Sequence, residues 1–521
     1  MSKSIRGWVV VAAFGFVAVQ LAVPAAAGPY GTTAVHQASG TPSPPADGAS
    51  PFASCDISGF AQSSSEVNYL NTEDDPFAAV DPTDPGTIIG VYQQDQWSRS
   101  RAASGLVAGV SHDGGQTWAA TWPHFSICAG GNASNGGDFQ RAADPWVTFS
   151  PNGDAYFIGR SIDLVGPGQN AVLVSKSTDG GDHWGEPVAL ARNFFDVSPF
   201  YNNVGTSITA DPFDSNYVYA AWTRFRKPGD AQSSSAEHSF AFRGDTMFAR
   251  TTNGGQTWEQ PQAIVRYKSN SGTLGNQVAV LPDGTLVDVF DNASSASHQN
   301  GYDIKVIQST DRGVTWSDPI EVAPENATPC KMCNGPVDPD TGARIRVGLG
   351  RPDLAVDLNP SSAGYGNIYA VWGDTYGSSE KSPYPTVVFT RSTDGGLTWS
   401  PLIKVNKSPA GVQGFTPSID VASDGTVAVT YYDFRYNTPD PGLPTDYWMI
   451  HCHATTDCTD PANWAENHVA GSFEIEQAPN FGGYYLGEYE GLTSSGTAFL
   501  PFFDQTTATD RANTYLGVVT P

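Results

Sequence analysis

Two interlocked repeats and an abundance of turn residues predict an all-β chain. The expected architecture is a β-propeller of seven blades, each of four antiparallel strands, closed into a ring by an N-terminal strand. The first repeat is the block Ser392-Thr393-Asp394-Gly395-Gly396-Leu397-Thr398-Trp399, which recurs as Ser111–Trp118, Ser177–Trp184, Thr251–Trp258 and Ser309–Trp316. Such a block is a turn: Asp bonds its own backbone just ahead, Gly supplies positive φ, and Thr and Trp pack the turn on a sheet. The second repeat is a strand-like run found seven times: Gly86–Gln93, Gly153–Arg160, Tyr217–Arg224, Gly284–Asp291, Gly366–Asp374, Gly425–Asp433 and Gly496–Asp504. The 55 Gly and 38 Pro suit many short strands joined by turns. Self-similarity at this spacing signals a repeat architecture.

A shorter alternating run precedes each of the seven: Phe77–Val80, Trp146–Phe149, Ser207–Ala210, Gln277–Val280, Leu354–Asp357, Ser418–Val421 and Glu490–Thr493. Pro151-Asn152-Gly153, Pro282-Asp283-Gly284 and Ser423-Asp424-Gly425 are hairpin signals between the two. One unit therefore reads as strand A, tight turn, strand B, longer loop, strand C, Asp-Gly turn, strand D, which is a propeller blade. Five units carry the full Asp-Gly turn, and the sixth has a degenerate version through Thr456, Asp457 and Trp464. The seventh stops after its strand C, Thr514–Val519. Residues Glu66–Leu70, ahead of the first strand A, are the expected ring-closing strand, because pairing them there removes two exposed sheet edges. Six blades result instead if one A–B pair is decoration.

Residues 1–27 read as a secretory signal: basic Lys3 and Arg6, an apolar run from Trp8 to Val23, and small Ala25-Ala26-Ala27. A membrane anchor is the alternative, although the run is short for a span. Residues 28–64 begin rich in Pro, Ala, Ser and Gly and read as a flexible linker, leaving 65–521 as one propeller domain. Six cysteines suit an exported protein, and proximity suggests Cys55 with Cys128, Cys330 with Cys333, and Cys452 with Cys458. The formal charge of −26 excludes a general binder of nucleic acid or anionic membrane, but not of an anion held by a few gathered arginines.

Antiparallel geometry puts the short A–B and C–D turns on one face and the long B–C and D–A loops on the other. Long loops on a rigid frame carry binding residues, so Asp113, Asp179, Asp311 and Asp394 are expected to serve their turns only. The starts of the A strands converge near the axis on the long-loop face: Glu73-Asp74-Asp75, Arg141 with Asp144, Asn202-Asn203, Asn276-Gln277, Arg351 with Asp353, Gln413 with Thr416, and Glu488-Tyr489-Glu490. The B-strand ends Arg160, Arg224, Asp291, Asp374, Asp433 with Arg435, and Asp504 border the same mouth. Arginines beside carboxylates and a tyrosine suit a carboxylated sugar. Structural readings compete: Asp144 in its Asp-Pro step caps a turn, Arg141 pairs with Asp144, and Arg351 pairs with Asp353. Glu488 and Glu490 share one strand face while Tyr489 points the other way, unless a bulge intervenes. His112, His183, His451 and His453 form no ligand-like group, so neither a metal nor a cofactor is expected.

The Asp-Gly blocks resemble the Asp-box repeats of sialidases and related secreted propellers; Ser111–Trp118, Ser309–Trp316 and Ser392–Trp399 match closely. Thr251–Trp258 has Thr for Ser and Asn for Asp, and Ser177–Trp184 has His183 for Thr. The resemblance implies an arginine-lined carboxylate site, a tyrosine nucleophile activated by a glutamate, and an aspartate acid/base. The family's Arg-Ile-Pro motif is absent, and Arg344-Ile345-Arg346 is not equivalent to it. Ring position therefore nominates the candidates. Tyr489 with Glu488 or Glu490 would be the nucleophile pair, Asp74 or Asp75 the acid/base, and Arg141, Arg351 and Arg435 with Asn203 and Asn276 the sugar contacts. Three functions stay open: a sialidase-like hydrolase of terminal acidic sugars, a non-catalytic propeller that binds glycan or protein, and a polysaccharide lyase acting on uronic acids.

Overall fold

A computed structural model describes residues 30–39, 49–99, 102–165, 168–194, 200–227, 243–267, 271–294, 301–326, 335–348, 350–378 and 384–521. Cys330, Cys333 and the expected signal segment lie outside these. The described residues form multiple antiparallel sheets with only two short 3-10 turns, Pro461–Asn463 and Ile475–Gln477.

Among the described residues the strands form two sheets of eight, three of four and one of two, and those outside the two-stranded sheet divide into seven groups of four. The first, Glu73–Val80, Ile88–Gln96, Ala103–Ser111 and Ala119–Thr121, shows the pattern. The A strands that follow are Arg141–Phe149, Phe200–Ala210, Ser271–Val280, Asp353–Val356, Gly414–Val421 and Gly491–Ser495. Their B partners are Ala155–Ile162, Val218–Lys227, Leu286–Ser294, Ile368–Asp374, Val427–Asp433 and Ala498–Gln505. Each A strand touches the next, and the seventh touches the first, although no sheet closes on itself. The B strands are the most deeply buried, as their β-branched and aromatic content requires; Ile368–Asp374 is buried throughout. Apolar side chains of neighbouring groups mesh into the core, for example Val289 and Val306 of the fourth with Trp372 and Val388 of the fifth.

The Asp-Gly blocks are turns closed on themselves. In the first, Asp113 accepts the Thr117 backbone N–H at 2.9 Å and the Thr117 hydroxyl at 2.7 Å, while Gly115 N–H donates to Ser111 Oγ. Asp394 repeats the set with Thr398, and His183 stands in for Thr on Asp179 at 2.8 Å. Equivalent hydrogen bonds from Thr315 and Ser309 hold Asp311 down to about 2.

The last group departs from the expected closure. Its fourth strand is Gly31–Gln37, antiparallel to Asn513–Thr520, with Gly31 opposite Thr520 and Gln37 opposite Tyr515. Glu66–Leu70 contributes only an isolated bridge from Asn68 to Trp97. The expected linker thus contains a strand, and its later part is docked: Phe52 is buried and Cys55 is bonded to Cys128. Gly31–Gln37 escaped notice because an edge strand that alternates exposed and half-buried positions needs no apolar run. The Cys452–Cys458 bond also forms.

Candidate functional site

Five A strands share an irregularity at the axial mouth. Register slips between Asp74 and Phe77, Ala143 and Trp146, Val204 and Ser207, Leu274 and Gln277, and Phe415 and Ser418. At each slip one residue is left-handed: Asp75 (φ 53°), Asp144 (54°), Gly205 (62°), Gly275 (62°) and Thr416 (48°). Bulges of this kind re-aim side chains, and non-glycine residues held in this conformation store strain that clusters at functional sites.

Three of the bulges border a cavity of about 150 Å³ lined by Asp144, Arg160, Val204, Gly205, Leu274, Gly275, Asp291, Arg344, Arg346, Val347, Gly348, Arg351 and Glu488. Asp144 comes from an A strand, Arg160 and Asp291 from B strands, and Arg351 and Glu488 from the approaches to the fifth and seventh A strands. Arg344 and Arg346 arrive on a segment outside the seven groups, where Ile345 and Arg346 pair in parallel with Tyr484 and Tyr485. Four arginines thus meet three carboxylates.

The charges are partly matched. Arg346 Nη2 donates to Glu488 Oε1 at 2.9 Å, and Arg351 Nη1 lies 3.8 Å from Glu488 Oε2. Arg346 stacks over Phe481 and Arg351 over Tyr489, 4.3 and 4.5 Å from the ring centres, which fixes both guanidinium planes. Arg160 donates to Asn202 Oδ1 at 3.0 Å, and the buried Nε atoms of Arg344 and Arg346 have no hydrogen-bond partner among the described residues. Asp144 Oδ2 accepts the Gly205 N–H at 2.8 Å. Asp291 is 1% exposed, its Oδ1 has no partner, and burial reinforced by Asp303 pushes it up to about 8. Behind it Glu325, with both oxygens unpartnered, is raised by burial and then by Asp291, Asp374 and Asp303. Among the described residues no group of three or more His, Cys, Asp or Glu is arranged to hold a metal ion.

Of the residues nominated by ring position, Arg351 and Glu488 line this pocket. Tyr489 does not: its hydroxyl donates to the Pro145 carbonyl at 2.7 Å beneath the mouth, and burial holds its phenol well above the usual range. It lines a smaller pocket with Glu490, Trp146 and Thr416, to which Arg351 and Glu488 of the main cavity also contribute. Glu490 is buried, accepts the Asp504 N–H at 3.2 Å, and is raised by burial and Asp504. Asp74 and Asp75 are buried on either side of the Gln93 amide. Asp75 also accepts the Tyr485 hydroxyl at 2.9 Å and the Glu488 backbone N–H; burial and Glu488 push it up to about 7. Both aspartates therefore support the pocket from behind rather than line it.

The remaining expected sugar contacts are engaged by internal partners. Arg141 is fully buried, paired with Glu66 at 2.8 Å, bonded to the Phe60 carbonyl and stacked on Trp97, so it anchors the N-terminal segment. Arg435 is held by Asp433 and Glu466 and lies 3.6 Å over Trp448. Asn203 accepts the Trp222 N–H at 2.9 Å and donates to Asn170. Asn276 bonds Thr223 and Thr246. All four are consumed by internal networks. Arg160 and Asp291 are legible as B-strand ends at the mouth, and Asp144 as an A-strand start whose Asp-Pro step also suits a turn cap. Arg344 and Arg346 carry no sequence signal that places them here, because they lie on a segment outside the repeats.

No family model matches the chain. It is similar to a xyloglucanase of Hypocrea jecorina, 26% identical over 415 residues that cover 74% of this chain and 39% of that protein. It is also similar to a xyloglucanase of a Paenibacillus species, 24% identical over 383 residues, covering 71% and 30%. The chain thus spans well under half the length of both curated relatives. Among solved structures, an α-L-arabinofuranosidase of Fusarium graminearum complexed with arabinobiose aligns at 12% identity and TM-score 0.44, covering 70% of this chain and 89% of that one. A Trypanosoma rangeli sialidase in complex with sialic acid aligns at 13% and 0.40, covering 77% and 55%.

Proposed function

We propose that this chain is an exported glycoside hydrolase acting on terminal acidic sugars, sialidase-like in substrate class, built as a seven-bladed propeller closed by Gly31–Gln37. The observation that carries the reading is the gathering of Arg160, Arg344, Arg346 and Arg351 in one cavity of a chain with 27 basic against 53 acidic residues. A planar guanidinium matches a carboxylate with two parallel hydrogen bonds, so an arginine cluster selects a carboxylated sugar over a neutral one. Similarity to two xyloglucanases supports carbohydrate as the substrate, and the two disulfides suit export.

For the chemistry, hydrolysis of a glycosidic bond needs a proton donor and a second carboxylate at the same site. Asp291, held protonated at neutral pH by burial beside Asp303, is suited to protonate the leaving oxygen. Asp144, fixed by the Gly205 N–H at its bulge, is the second carboxylate, serving as base or nucleophile. Tyr489 is not assigned the nucleophile role, because its hydroxyl is spent on Pro145.

The test is turnover of fluorogenic sialosides and glucuronides by the wild type, Arg344→Ala and Tyr489→Phe. Expected are turnover by the wild type, a loss in kcat/KM of about tenfold to a hundredfold for Arg344→Ala from one charge-assisted contact, and near-normal turnover for Tyr489→Phe. Absence of turnover on every acidic glycoside, or turnover indifferent to Arg344→Ala, would overturn the reading. Unsaturated products from uronic-acid polymers would replace it with a lyase.

A further inference from the structure

Glu488 occupies the arginine cluster in the way an acidic ligand would. Its carboxylate spans two guanidiniums, bonded to Arg346 at 2.9 Å and set 3.8 Å from Arg351. The next two residues, Tyr489 and Glu490, are buried, while the Glu488 side chain remains 19% exposed toward the cavity. Its backbone is pinned independently of its carboxylate: the N–H donates to Asp75, and the chain just before it runs beside Ile345–Arg346. The side chain can therefore leave the arginines without moving the strand.

Resting on the acidic-sugar reading of this pocket, we propose that Glu488 is an internal counter-anion, a carboxylate that holds Arg346 and Arg351 until the ligand's own carboxylate displaces it. The two contacts are unequal. The bond to Arg346 is of hydrogen-bond length, while the separation from Arg351 is beyond it, so Arg351 is the side that opens first. Arg344 lines the same cavity and makes no ion pair among the described residues, so it is where an incoming carboxylate makes its first contact. The exchange then replaces one anion with another on arginines that are already oriented by Phe481 and Tyr489. A neutral sugar has nothing to exchange, so Glu488 raises selectivity at the expense of affinity. This assigns Glu488 a specificity-determining role in place of the catalytic one expected from ring position.

Titration calorimetry with N-acetylneuraminate and glucuronate, and glucose as the neutral control, on wild type, Glu488→Gln and Glu488→Asp tests this. Gln keeps the length and the backbone bond to Asp75 but removes the competing charge. The acids should bind Glu488→Gln about tenfold more tightly than wild type, with glucose unchanged. Glu488→Asp, whose charge is drawn back by one methylene, should fall between the two. Acids that bind wild type and bind Glu488→Gln no more tightly would overturn the counter-anion role while leaving the pocket reading intact. Acids that bind none of the three proteins would overturn both.

Discussion

Gly205 and Gly275 offer an internally controlled test of whether Arg351 must sit where it does. Both are left-handed at φ 62° and occupy the same bulge position in adjacent groups. An alanine at either site carries the same backbone penalty, about 1–2 kcal/mol for an L-residue in that region. Their surroundings differ. A Cβ on Gly275 would lie 2.8 Å from Arg351 Cγ and 3.3 Å from Pro352 Cδ, whereas on Gly205 the nearest atom is Arg351 Nη2 at 3.7 Å. Carbon contacts settle near 3.5–4.0 Å, so Gly275→Ala must push the stem of Arg351 aside by about 1 Å. Pro352 blocks retreat of its backbone. Displacements of that size cost up to about a hundredfold in a positioned site. Urea unfolding should therefore show similar losses for the two variants, while kcat/KM on an acidic glycoside falls at least about tenfold further for Gly275→Ala than for Gly205→Ala. Equal kinetic losses would refute the claim that the position of Arg351 sets recognition.

Two further outcomes follow from burial and connectivity. Asp291 keeps its proton in the fold up to about pH 8, whereas in the unfolded chain it ionises near 4. Its contribution to stability is thus full below about pH 4 and lost as pH rises through about 8, and activity that needs the protonated acid declines over the same upper limit. In Asp291→Asn the pH–rate profile should lose that alkaline limb, with kcat reduced by about 10²–10⁴; an unchanged limb would remove Asp291 from the proton-donor role. The disulfides should differ in worth. Loop entropy assigns about 4 kcal/mol to Cys55–Cys128, separated by 73 residues, and about 2 kcal/mol to Cys452–Cys458, separated by 6. Denaturant unfolding of the two Cys→Ser pairs should rank them so, and the reverse order would contradict the loop-entropy account.

Much of the frame was legible because it is local. Each Asp-Gly turn is closed by hydrogen bonds within eight residues, and several A–B hairpins by a short turn, so residue order alone exposes them. The closing strand was not legible. Gly31–Gln37 is defined by its partner Asn513–Thr520, which lies at the far end of the chain. Glu66 shows the converse: it stood in the expected closing strand, yet its carboxylate neutralises a buried arginine. The site divided along the same line. Arg351 and Glu488 followed from ring position, whereas Arg141 and Arg435 had equally good positions and are spent on internal partners.

By itself the sequence determined the all-β class, the repeated hairpins and the turn geometry of the Asp-Gly blocks. These depend on φ preferences, strand alternation and loop length, all of which act over a few residues. Only the tertiary structure decided which charges face the cavity. Whether Arg344 lines a pocket, Tyr489 turns to Pro145 or Asp291 keeps its proton depends on desolvation and on partners up to hundreds of residues away. The fine position of the arginines depends further on bulges whose left-handed residues, Asp, Gly and Thr, share no single letter in the sequence.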